Sequence, residues 1–124
     1  MTALLPNNYA IVTAQGSQWS VIITVYNDDG SLTNIVGKTF EFVVRDRTDA
    51  AGKVLFSVNN TSSTSSGTIT VTTSTSSLQV VVTPAATNLL TAGGGPYTLW
   101  MDQGLSDATA LLTGTFLASV VAAA

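Results

Sequence analysis

The stretch that most restricts how this chain can fold is Lys38-Thr39-Phe40-Glu41-Phe42-Val43-Val44-Arg45. Phe40, Phe42 and Val44 alternate with Thr39, Glu41 and Arg45. That two-residue period belongs to a strand with one buried face and one wet face. Val43 interrupts the polar set, which predicts that the outer face is covered in part. Gly37 opens the strand and the charged run 45–49 closes it. All four basic residues of the protein, Lys38, Arg45, Arg47 and Lys53, lie in or near this segment. No other strand has so strict a two-sided code, which predicts a central position in its sheet.

The remaining chain reads as short strands separated by turn chemistry. Residues 9–14 make a first strand behind an N-terminal arm, 1–8, and Gln15-Gly16 turns the chain. Trp19, Val21, Ile23 and Val25 line one face of a second strand, apolar enough on both faces to sit inside its sheet. Asn27-Asp28-Asp29-Gly30 is a turn, because Asn and Asp tolerate left-handed backbone and Gly accepts it freely. Carboxylates beside a glycine also resemble part of a calcium loop, but the alternate ligands and distal glutamate of such a loop are missing. Residues 53–58 form a strand with Val54, Phe56 and Val58 on one face. Of the 17 residues from 61 to 77, 14 are Ser or Thr, a composition compatible with a linker. Ile69 and Val71 keep period two inside that tract, and threonine suits strands, so 68–73 is read as a strand with a solvated face. Leu78, Val80 and Val82 mark the next strand. Thr83 and Pro84 then suit the cap and first position of a short helix, ended by Gly93-Gly94-Gly95. Tyr97, Leu99 and Met101 alternate with Thr98, Trp100 and Asp102, and 111–120 returns the chain with Leu112, Phe116, Ala118 and Val120 on one side.

The outcome is an all-β fold: an immunoglobulin-like antiparallel β-sandwich of about eight strands with one short helical connection. The sandwich spans 9–121, with 122–124 as a tail. Trp19, Ile23, Phe40, Phe42, Val44, Phe56, Ile69, Val80, Leu99 and Phe116 are its expected core. The Cys-Trp-Cys signature of true immunoglobulin domains is missing, so the likeness is one of architecture.

Composition narrows the function. Charged residues are 9% of the chain, against about 25% in an average soluble protein, and the net charge is -3. Four basic residues neutralise little phosphate, which argues against a nucleic-acid partner and against a cationic membrane patch. The chain has no cysteine and no histidine, which removes thiolate sites, the commonest general base and the commonest metal ligand. Met1 to Pro6 lacks the basic start and apolar core of a signal peptide, and the apolar run 111–124 is too short to span a bilayer. A soluble product made in the cytoplasm is expected, with no cofactor.

Several motifs together resemble a known family. Gln15-Gly16 after a leading strand, an acidic turn ending in Gly30, and the run 37–45 (Gly-Lys-Thr-Phe-Glu-Phe-Val-Val-Arg) form one half. Thr-Pro-Ala-Ala-Thr at 83–87, Gly-Pro-Tyr-Thr-Leu-Trp at 95–100 and Leu-Leu-Thr-Gly-Thr-Phe at 111–116 form the other. Over 11–120 the chain resembles the small immunoglobulin-like domain at the N-terminus of phage upper baseplate proteins and related tail and fibre-attachment proteins. That family often carries an aspartate soon after the tyrosine of the penultimate strand, where this chain has Trp100 and then Asp102. The resemblance implies a structural virion protein without catalysis, a homo-oligomer whose partners are copies of itself and other virion proteins; with no continuation after Ala124, a stand-alone domain and not the head of a longer fibre is expected.

The residues bear on three function classes. An enzyme would need converging groups, and Asp28, Asp29, Asp46, Asp49 and Asp107 lie in turn-rich loops, with Glu41 and Asp102 on outward-looking strand positions. A carbohydrate-binding module would stack sugars on exposed aromatics such as Trp100 or Tyr26. An assembly protein fits best, since strands at 68–73 and 112–120 carry no charge to guard a sheet edge. The expectation is a tail, baseplate or fibre-attachment component, with a capsid decoration protein or carbohydrate-binding module as the alternative. Interface candidates are Trp100, Asp102, Arg45 and Arg47. Trp100 is expected to point outward from its strand and bury against a neighbouring subunit. The loops 46–52 and 103–110 are expected at one end of the sandwich, where Arg45 or Arg47 would meet Asp102 or Asp107.

Overall fold

The computed structural model describes residues 2–3, 10–46, 53–62, 64–89, 95–102 and 108–119. The eight strands read from the sequence all form, preceded by a ninth of two residues. In chain order they are β1 (Thr2–Ala3), β2 (Ile11–Ala14), β3 (Trp19–Tyr26), β4 (Phe40–Arg45), β5 (Val54–Asn59), β6 (Gly67–Thr72), β7 (Ser77–Val82), β8 (Gly95–Met101) and β9 (Thr109–Ser119). One sheet has the order β1-β3-β7-β6 and the other β2-β9-β8-β4-β5. The first two strands divide between the sheets and the rest follow the immunoglobulin-type order, so the chain is an all-β sandwich of that architecture.

Two details differ from the sequence reading. The sandwich is not wholly antiparallel: β2 pairs with β9 in parallel, Ile11 opposite Phe116. The turn closed by Ser17 N–H on the Ala14 carbonyl (3.0 Å) reverses the chain between β2 and β3, so β2 runs against β3 and along β9. The organising strand β4 is interior, between β8 and β5, but the middle of the five-stranded sheet is β8.

Burial follows the pleat. Along β8 every second residue, from Gly95 through Tyr97 and Leu99 to Met101, is buried while Pro96, Thr98 and Trp100 are half-buried. Phe40, Phe42 and Val44 face the core from β4, and Val43 on the outer face is nevertheless buried at 8% exposure. Every expected core residue is buried except Trp19, which is half-buried and packs against the core's border. Its ring stacks on Phe42 (centroids 6.0 Å) and meets Phe116 edge-on (5.3 Å), tying β3 to the opposite sheet. Phe42 also stacks on Tyr97 (5.2 Å) and meets Phe116 (6.1 Å), and Phe116 in turn meets Phe56 edge-on (6.0 Å), so Phe42 and Phe116 share the centre of the aromatic cluster.

The short helix α1 (Pro84–Thr87) has the cap chemistry its sequence announces, with the Thr83 hydroxyl accepting from Ala86 N–H at 3.3 Å. It stops at Thr87, with Asn88 as its C-cap, well before the glycine run. Gly95 belongs to β8 instead. A Cβ there would lie 1.9 Å from the Arg45 carbonyl oxygen, so only glycine lets β8 approach the end of β4.

Candidate interaction surface

The register of β4 places a short row of side chains on the outer face of the five-stranded sheet. Glu41 lies opposite Asn59 of β5 on one side and Trp100 of β8 on the other. Trp100 in turn lies opposite Ala110 of β9, where β9 carries a bulge between the Leu99 and Trp100 registers. The irregularity is absorbed on β9, where Leu111 and Leu112 are both buried, and the alternation along β8 leaves Trp100 outward. Next to the row, Thr39, Phe40, Glu41, Asn59 and Thr61 line a shallow depression of about 150 Å³.

The chemistry of this row is open rather than self-satisfied. Among the described residues, the Glu41 carboxylate and the Trp100 indole N–H take part in no hydrogen bond or ion pair. The Asn59 Oδ1 accepts from Thr61 N–H (3.0 Å), Ser62 N–H (2.9 Å) and the Thr61 hydroxyl (2.9 Å), while its Nδ2 donates to no described residue. No buried side-chain polar atom among the described residues lacks a partner, so these three groups reach solvent.

Asp102 is two residues on but belongs to a different structure. The sequence placed it outward; it is 4% exposed, just past the end of β8, with φ at +56°. Its Oδ1 accepts from Thr39 N–H at 3.0 Å and its Oδ2 lies 3.0 Å from the Lys38 Nζ. Its own N–H donates to the Thr39 carbonyl at 2.7 Å. The left-handed turn bends the carboxylate back over the start of β4, which is why strand periodicity fails to predict its direction. The Thr39 backbone N–H, followed by Lys38, holds its pKa below the usual aspartate value against the opposing effect of burial. Asp102 is therefore an internal clamp and not an exposed contact residue.

The expected meeting of Arg45 with Asp102 also fails. Because β4 and β8 are antiparallel neighbours, Phe40 is opposite Met101 while Val44 is opposite Tyr97. Arg45 thus sits at the end of β4 remote from Asp102, about 20 Å away at the usual rise of a strand. The loops that follow β4 and β8 leave from opposite ends of the sheet. Arg47 and Asp107 lie outside the described residues, so the Arg47 expectation does too.

Sequence reasoning missed Asn60. Its Oδ1 accepts from Phe40 N–H at 2.8 Å and its Nδ2 donates to the Lys38 carbonyl at 3.2 Å. Asn60 and Asp102 between them occupy the backbone of Lys38 and Thr39, which explains why the ladder begins at Phe40. The doubled asparagine at 59–60 signals a turn, but nothing in the sequence distinguishes the inward amide from the outward one.

The Asn27–Gly30 turn forms as its chemistry predicts. Asn27 N–H donates to the Ser31 carbonyl at 2.7 Å, and Gly30 adopts φ +88°. The Asp29 carboxylate accepts from the Ser31 hydroxyl (2.5 Å) and N–H (2.9 Å), bonds that lower its pKa in that order. Among the described residues no group of three or more His, Cys, Asp or Glu is placed to hold a metal ion.

The fold and its surface define an immunoglobulin-type β-sandwich with a polar-aromatic row on the five-stranded sheet. No protein-family model and no curated protein matches the chain.

Proposed function

We propose that this chain is a non-enzymatic structural protein of a phage virion, a tail, baseplate or fibre-attachment component that acts through contacts with copies of itself and other virion proteins. The observation that carries the reading is the four-stranded sheet. None of its strands β1, β3, β7 and β6 contains a charged residue. Among the described residues its border strand β6 has β7 as its one strand partner and presents Thr68, Thr70 and Thr72 outward. Natural sheet borders that must stay single are guarded by lysine or other charges, and this one is not. A subunit held among neighbours has no need of the guard. The resemblance of 11–120 to phage baseplate and fibre-attachment domains supplies the virion setting.

Thr70→Lys tests it. Thr70 is exposed, so the folding stability should stay within about 0.5 kcal/mol of wild type. Incorporation into particles, measured by quantitative mass spectrometry of purified virions, should fall sharply. Undiminished incorporation removes β6 as the contact, and absence of the wild-type chain from particles removes the virion reading. The wild-type copy number separates a tail component, present in a few to a few tens, from a capsid decoration protein present in hundreds.

A further inference from the structure

We infer that the row Asn59–Glu41–Trp100 on the outer face of the five-stranded sheet is a binding site for an uncharged oligosaccharide. The inference does not rest on the assembly reading, whose contact surface is the opposite sheet.

A pyranose ring offers an apolar face of C–H bonds and a rim of hydroxyls, each both donor and acceptor. The row has the complementary parts. The half-buried indole of Trp100 provides a flat apolar surface, and no other ring stacks on it among the described residues. The Glu41 carboxylate, an acceptor without a partner, stands beside it on the next strand. One strand further, the Asn59 amide offers an unused donor pair while its oxygen is pinned by Thr61 and Ser62, which fixes the direction of the Nδ2. Three neighbouring strands span about 10 Å, room for a ring or two lying across the sheet. The depression edged by Thr39 and Thr61 adds hydroxyls beside Glu41.

The same features speak against a protein contact centred on Trp100. Interface hot spots sit in desolvated surroundings ringed by contacts that exclude water. Here the tryptophan has the Glu41 carboxylate, whose oxygens face solvent, on one side and only the small Ala110 on the other. A carboxylate at the centre also disfavours acidic sugars, which restricts the class to neutral ones.

The experiment uses the intact chain, titrated separately with cellohexaose, maltohexaose and chitohexaose and followed by the backbone amide resonances of Glu41, Asn59 and Thr98, with the Trp100 indole N–H as an added reporter in the wild type. At least one should give a saturable shift with Kd of about 1 mM or tighter. Trp100→Ala should weaken binding at least about tenfold and Trp100→Phe by less, because a ring remains to stack. Glu41→Gln should weaken it, and Ile22→Ala on the opposite sheet should leave it unchanged. An unchanged thermal transition and backbone spectrum establish that each variant is folded. No shift with any of the three sugars at about 10 mM overturns the inference, as does binding that survives both Trp100→Ala and Glu41→Gln. Loss of particle incorporation by Trp100→Ala without sugar binding by the wild type also overturns it, and assigns the face to a protein neighbour.

Discussion

The two sheets of this sandwich solve the same packing problem with different residues. The five-stranded sheet carries Phe40, Phe42, Phe56, Tyr97, Trp100 and Phe116, together with Glu41 and Arg45 on its strands and Lys38 and Asp102 at its border. The four-stranded sheet has Ile23, Val25, Ile69, Leu78, Val80 and Val82 inside and mostly hydroxyls outside, with Trp19 reaching across. Large rings lock together at fixed angles, whereas branched aliphatics slide more easily against one another. The five-stranded sheet is also pinned by side chains that seize backbone, Asp102 and Asn60 at the start of β4. Register in one sheet is therefore set by shape and side-chain clamps, and in the other mainly by alternation. A sheet held mainly by alternation is more open to added strands, which is in keeping with the assembly surface proposed above.

The largest effect should come from removing one of the two central rings. Phe42→Ala takes away a ring that touches Trp19, Tyr97 and Phe116, and the rigid neighbours cannot close the space. A loss of about 3–5 kcal/mol is expected by denaturant titration. Ile69→Val on the border strand of the other sheet should cost only about 0.5–1.5 kcal/mol. A Phe42→Ala loss under about 1 kcal/mol would break the contrast at its centre.

Two glycines sharpen the comparison. A Cβ at Gly95 would lie 1.9 Å from the Arg45 carbonyl oxygen, and one at Gly67 would lie 1.9 Å from that of Val81. Gly67 carries the additional handicap of φ at +141°. Yet β8 is held on both sides, by β9 and β4, while β6 has one ladder partner and can shift outward. Gly95→Ala should therefore cost about 3 kcal/mol, the top of the overpacking range. Gly67→Ala should cost about 1–2 kcal/mol, chiefly for its backbone angle. The reverse order, read from thermal unfolding of the two variants, would mean that the four-stranded border is as rigid as the centre of the other sheet.

Much of this architecture is legible in the residues themselves. Alternation located every long strand, and Thr83-Pro84 announced the helix. What stayed hidden depends on contacts between distant segments. Gly95 reads as part of a glycine run, and its pairing with Phe116 and close approach to Arg45 show that it is a strand residue. Thr87 reads as one more polar residue. It is wholly buried, and its hydroxyl accepts from Gly16 N–H at 3.1 Å and donates to the Ser17 carbonyl at 2.9 Å. The candidate row is half visible in the sequence: alternation turns Trp100 outward, but Glu41 beside it and Asn59 beyond come from strand register, which no local pattern encodes. Asp102 was read in the wrong direction because one left-handed residue ends the pleat that periodicity assumes.

A smaller effect than those at Phe42 and Gly95 falls on that residue, and pH isolates it. Asparagine tolerates the left-handed backbone of Asp102 and can still accept from Thr39 N–H, but it forfeits the charge facing Lys38. Asp102→Asn should cost about 1.5 kcal/mol near neutrality, in the lower part of the range for hydrogen bonds to charged groups, because the Lys38 side chain is 30% exposed and partly screened. The Asp102 pKa is depressed in the folded state, so its contribution is present above the unfolded value near ~3.9 and lost as pH falls through the folded one. The stability difference between wild type and Asp102→Asn should accordingly be constant from pH 7 to about 5 and shrink below about 4. Asp29→Asn gives the comparison within the same end of the molecule, since that carboxylate is also depressed but lies in an exposed turn. Its substitution should change stability far less at every pH. An Asp102→Asn difference that does not narrow in acid would show that the residue holds β4 through its backbone angle and hydrogen bonds, with no part played by its charge.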